Sequence, residues 1–116
     1  MKKELKERWI TALRSGDYSQ SQGCLQNQYG WCCLGVLCNI VDGTKWVKPD
    51  ESSETKVDQQ PYDFGNDVFV DMPPREWLEN HGLPHGLAKE LAGLNDDGVQ
   101  FMEIAEYIKE NVNEND

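Results

Sequence analysis

The residues of this chain with the chemistry of nucleophiles, bases or metal ligands are four cysteines, Cys24, Cys32, Cys33 and Cys38, and two histidines, His81 and His85. Three of the cysteines fall in the longest apolar run, residues 29–41. If that run is helical, Cys32 stands at its start, where the helix dipole and unpaired backbone N–H groups favour a thiolate and can hold an oxyanion. A later histidine would then act as general base, so Cys32 with His81 or His85 is the arrangement that could support a cysteine hydrolase. Against it, both histidines flank Gly82-Leu83-Pro84, a connection between helices, and no third residue is placed to orient either ring. Free cysteine is commonly a small buried hydrophobe, a reading that suits Cys33 and Cys38 and extends to Cys32.

Metal and cofactor chemistry have less to work with. The chain has no Cys-x-x-Cys pair, and adjacent Cys32 and Cys33 cannot both point at one ion from a helix, so no metal site is expected. Its basic opening, Met1-Lys2-Lys3, is followed by amphipathic periodicity where a signal peptide would be apolar; this points to a reducing compartment and free thiols. Glycine-rich phosphate loops, His-Glu-x-x-His and calcium loops are missing, and no cofactor is expected. Aromatic side chains offer a binding surface instead: Trp46 in a short strand, together with Tyr18, Tyr62 and Phe64. Trp9, Trp31 and Trp77 lie on apolar stripes and are assigned to the core.

The charge narrows the choice of partner. Of the 116 residues, 21 are acidic and 11 basic, and the imbalance is uneven: residues 1–16 carry net +3 and the remainder −13. Between Asp50 and Glu79 nine acidic side chains face only Lys56 and Arg75, which would repel a phosphate backbone. Direct nucleic-acid binding is therefore not expected. An acidic surface aids solubility, and it also suits docking on a basic protein. No apolar run approaches the roughly 20 residues that span a bilayer, so no membrane partner is expected either.

The elements that must position these residues follow from periodicity. Leu5, Trp9, Ala12 and Leu13 share one stripe of a first helix, with Lys2, Lys3, Lys6, Glu7 and Arg14 outward, until Ser15-Gly16-Asp17 ends it. Gly23-Cys24-Leu25 reads as a short strand leading into a turn over residues 27–30. Residues 31–41 have the length of a helix, with Leu34, Leu37, Cys38 and Val41 at helical spacing and Asp42-Gly43 as a stop. Gly35 inside this helix points to close packing, with Trp9 the expected neighbour. Residues 45–47 resemble a strand, residues 50–60 an exposed loop, and residues 62–64 and 68–70 two strands about a turn. Three more helices follow, one opened by Pro73-Pro74, one carrying Leu87, Leu91 and Leu94 until Asn95-Asp96-Asp97-Gly98, and one carrying Phe101, Ile104, Ala105, Ile108 and Val112. The expected fold is α+β: a single small domain over residues 1–112, four or five helices around a buried central helix at about residues 31–41, a small antiparallel sheet and a polar tail at 113–116.

Three blocks carry a resemblance: Arg8-Trp9-Ile10-x-Ala12-Leu13-Arg14-Ser15-Gly16-x-Tyr18-x-Gln20 with Gly23-x-Leu25; Cys32-Cys33-Leu34-Gly35-Val36-Leu37-Cys38; and Leu94-Asn95-Asp96-x-Gly98-x-x-Phe101-x-x-Ile104-Ala105-x-x-Ile108. In this order they resemble a group of small, mostly uncharacterised proteins encoded by tailed bacteriophages and prophages. Gln100 stands where that group often has a serine, and it is a poorer N-cap. The resemblance carries over no catalytic residue. It implies a phage-encoded accessory protein in the cytoplasm of a bacterial host, one that binds and modulates a host protein such as a defence component. The alternatives are capture of a small host signalling molecule in a pocket, and a papain-like cysteine hydrolase built on Cys32 with His81 or His85.

Overall fold

The computed structural model describes residues 1–47, 60–65 and 68–114. Its elements in chain order are α1 (Lys3–Arg14), β1 (Gln26–Asn27), β2 (Gly30–Trp31), α2 (Cys33–Asp42), β3 (Tyr62–Asp63), β4 (Val68–Phe69), α3 (Arg75–Asn80), α4 (His85–Asp96) and α5 (Phe101–Asn111). The architecture is the expected small α+β one, with α2 at its centre. Six consecutive residues of α2, from Cys33 to Cys38, are buried, so this helix is apolar on every side and packs between α1 and α4.

The central helix begins two residues later than periodicity suggests. Trp31 belongs to β2, where it pairs with Gln26 across a hairpin. Asn27 Oδ1 closes the turn by accepting from the backbone N–H groups of Tyr29 (2.8 Å) and Gly30 (3.1 Å). Cys32 is extended, with φ −87° and ψ 169°, and caps α2: its Sγ accepts from Gly35 N–H at 3.3 Å. The expected strand at residues 23–25 is displaced to β1. Gly35 is packed closely, but against a different neighbour than expected: a Cβ there would lie 1.9 Å from the carbonyl oxygen of Leu25. Trp9 reaches α2 another way, by donating its indole N–H to Cys33 O at 2.9 Å.

Two corrections fall on charged and polar residues. Lys6, expected to face out, is buried; its Nζ donates to Lys109 O at 3.1 Å, at the carbonyl end of α5, and lies 3.6 Å from Glu114. Asn95, expected in a break, is fully buried within α4 and donates to Ser21 O at 2.8 Å. Gln20 ties this corner together: its Nε2 donates to Asn95 Oδ1 (3.0 Å) and Val99 O (2.7 Å), and its Oε1 accepts from Phe101 N–H (3.2 Å). The first turn of α5, which Gln100 leaves without a side-chain cap, is thus capped from a residue far away in sequence.

The strands form two separate antiparallel ribbons, β1 with β2 and β3 with β4. In the second, Tyr62 pairs with Phe69 and Asp63 with Val68, the pairing that the two short apolar runs about Gly65 predict. Trp46 forms a single bridge with Tyr62 on the other side of β3. The ribbons are joined where Leu25 N–H donates to Val70 O (2.7 Å) and Gln60 N–H to Gln26 O (2.9 Å). Apart from Gln60, the loop expected at residues 50–60 lies outside the described residues, as do the last two residues of the expected polar tail.

Candidate functional site

Of the cysteine and histidine arrangement, each part has its hydrogen bond to another group. Cys32 is 5% exposed, and its sulfur is engaged by Gly35 N–H. Burial pushes its thiol from an ordinary value near 9 up to about 12, although the N–H groups of Gly35 and Leu34 pull the other way. The advantage of a helix N-terminus is therefore outweighed by desolvation. Burial raises Cys33 and Cys38 as well, with the neighbouring Cys32 a lesser contributor. His81 instead donates from Nδ1 to Trp77 O at 2.7 Å, with its ring 4.2 Å from the Trp77 ring. Nδ1 of His85 accepts from Arg75 Nη2 at 3.2 Å. All four cysteines are buried, Cys32, Cys33 and Cys38 as free thiols, and no group of three or more potential metal ligands gathers among the described residues.

The aromatic candidates, by contrast, are brought together. Tyr18 packs on Trp31 (ring centroids 5.1 Å apart), Trp31 on Trp46 (5.5 Å), Trp46 on Tyr62 (4.9 Å) and Tyr62 on Phe64 (4.7 Å). Phe64 then meets Phe69 at 6.1 Å and Trp77 at 5.2 Å. The contacts are edge-to-face or tilted, the arrangement that opposes the positive edge of one ring to the negative face of the next. Trp31 and Trp77, assigned to the core from their stripes, are half-buried links in this row. The hairpin that re-aims Trp31 was signalled by Asn27 and Gly30; Trp77 carried no comparable signal.

The C-terminal half of α2 holds the row in place. Asn39 donates from Nδ2 to Tyr18 Oη (2.8 Å) and accepts at Oδ1 from Trp46 Nε1 (3.1 Å), so one side chain orients two rings. The Tyr62 hydroxyl is shared between Cys38 O (3.2 Å) and Asp42 O (3.0 Å). Tyr62 is 1% exposed and is therefore a buried support rather than the surface residue expected of it; burial raises its phenol well above the ordinary value. Tyr18, Trp46 and Phe64 are half-buried. At the outer end Val68 and Phe69 are 52% and 39% exposed.

Two concavities adjoin the row. A cleft of about 290 Å³ opens between the end of α2, β3 and α3, walled by Tyr62, Phe64 and Trp77, with Asp42, Lys45 and Asp63 at its rim. A shallower groove of about 530 Å³ runs between α1 and α2 past Glu4, Glu7, Arg8, Asp17, Tyr18 and Ile40. No helix among the described residues is long and apolar enough to cross a membrane.

Residues 1–112 match the model of a family described as a domain of unknown function, DUF8296. The chain belongs to this family. No curated protein and no solved structure gave a match. The family assignment covers the helical core and the whole aromatic row.

Proposed function

We propose that this member of the DUF8296 family is a small acidic, phage-encoded accessory protein that works in the bacterial cytoplasm by binding and modulating a host protein, a defence component being the fitting class. The phage origin and the host compartment rest on the sequence resemblance. The observation that carries the binding reading is the aromatic row, which ends in exposed Val68 and Phe69 on a chain of net charge −10. Exposed aromatic side chains backed by a rigid, hydrogen-bonded support are common anchors of protein interfaces, and a strongly negative net charge favours a basic partner. The buried, protonated Cys32 speaks against the hydrolase alternative. Affinity capture from host lysate tests the reading. A partner should be retained at low ionic strength, released as salt rises, and lost when Phe69→Ser removes the anchor; a chain that retains no protein at low salt is not such a binder.

Capture of a small molecule is the second reading, and the cleft supports it. At about 290 Å³ it lies at the lower end of ligand-pocket sizes. Binding there through ring contacts to an uncharged ligand would be insensitive to salt, which separates the two readings.

A further inference from the structure

The cleft at the end of α2 has a composition that neither apolar capture nor simple solvation accounts for. Its walls are three aromatic rings, none parallel to another: Phe64 and Trp77 meet at 76°, Tyr62 and Trp77 at 71°, Tyr62 and Phe64 at 48°. Phe64 and Trp77 are half-buried at this cavity, and Tyr62, 1% exposed, backs them. Its rim holds two carboxylates. Asp42 accepts from Thr44 N–H (2.9 Å) and Thr44 Oγ1 (2.6 Å), and Asp63 accepts from Gly65 N–H (2.8 Å). All three bonds go to Oδ1, so Oδ2 of each carboxylate accepts none from the described residues. The negative end of α2 lies alongside, with no basic residue in its last turn. Lys45 is the one cation among the described lining residues, so the rim holds two carboxylates against one ammonium; Asp63, whose Oδ1 accepts one bond where that of Asp42 accepts two, has the more open acceptors.

Aromatic faces and a carboxylate together attract a cation, the faces through their quadrupoles and the carboxylate through charge-assisted hydrogen bonds. The cavity is too small for a nucleotide-sized ligand but suits the end of a side chain. A guanidinium fits this setting better than an ammonium, because it is planar, stacks on a ring and forks to one carboxylate. We infer that the cleft walled by Tyr62, Phe64 and Trp77 is a receptor for an arginine side chain of the protein partner, with Asp63 taking the guanidinium fork. This rests on the host-protein reading above and names the contact it uses.

The test uses N-acetyl-argininamide as probe, its neutral isostere N-acetyl-citrullinamide as control, and the tryptophan indole N–H resonances of the full chain as readout. Saturable, salt-sensitive movement of the Trp77 signal with the arginine probe, absent with citrulline, is the expected result. Asp63→Asn should weaken that binding about tenfold while leaving the spectrum folded, and Trp77→Leu, which removes the reporting indole and is followed by calorimetry instead, should abolish it. Equal response to citrulline, or unchanged affinity in Asp63→Asn, overturns the proposal. A lysine probe that binds as tightly as arginine overturns the guanidinium assignment. The failures are separable: a probe that binds where lysate capture fails leaves the cleft standing without the host-protein reading, whereas capture that survives in both cleft variants sinks the cleft and keeps that reading.

Discussion

Cys32 sets two effects against each other. Its place before the first turn of α2 supplies N–H donors and a favourable dipole, which lower a thiol's pKa; its burial removes the water that would stabilise the anion. Desolvation wins here, and the sulfur serves as a cap acceptor toward Gly35. An aromatic disulfide reagent at pH 8 should therefore label the native protein only as fast as it unfolds, and a fast-reacting thiol that disappears in Cys32→Ser would contradict this. Cys32→Ser keeps an oxygen acceptor at the cap, so its stability in urea should stay within about 1 kcal/mol of wild type, with binding intact. Residue types alone raised the catalytic question, since any cysteine before a helix invites it. They could not answer it, because exposure depends on what packs over the helix start. Lys6 teaches the same point: nothing in its neighbours tells that the open carbonyls of α5 lie within reach of its ammonium.

Among the elements, α2 is the most tightly specified, and its glycine shows where. At Gly35 an added methyl would meet the Leu25 carbonyl, a backbone atom that cannot yield without parting β1 from the helix. Gly35→Ala should destabilise by about 3 kcal/mol or more in urea unfolding. Gly93, in α4, has open space at its Cβ position, and Gly93→Ala should stabilise by about 0.5–1 kcal/mol through helix propensity alone. The contrast separates packing from propensity within one chain. Helices α1, α3, α4 and α5 were readable from apolar spacing because each exposes one face and buries the other. The start of α2 was not, since its run is apolar through the preceding strand; only the pairing of Trp31 with Gln26 fixes where extended backbone ends. Capping of α5 by Gln20 was likewise hidden, being a contact between residues 81 apart.

At the scale of the whole molecule, the buried acids make the fold sensitive to alkali. Cys32 is raised to about 12, and Cys33, Cys38 and Tyr62 are raised too, in each case chiefly by burial. A group raised in the folded state is protonated there while the unfolded chain ionises from about pH 8.5 for a thiol. Unfolding then releases protons, so the contribution is complete below about pH 8.5 and is lost as pH climbs toward 12. Melting temperature should fall steadily between pH 8.5 and 11, less steeply in Cys32→Ser. Added salt should not restore it, as it would if repulsion among the net −10 charges were responsible. The same charge governs association, where salt should act strongly.

By itself the sequence determined the fold class, the rough extent of the helices, the pairing of β3 with β4 and the acidic character, all of which follow from local periodicity, turn residues and composition. It also named Tyr18, Trp46, Tyr62 and Phe64 as the aromatic residues of a binding surface. Only the tertiary structure decided that these join Trp31 and Trp77 in one row, that Tyr62 is its buried support, and that Cys32 is desolvated. Those facts depend on contacts between segments distant in sequence, and on the exclusion of water that such contacts produce. A desolvated thiol and a walled cleft are properties of packing, and no spacing of residues along the chain encodes them directly.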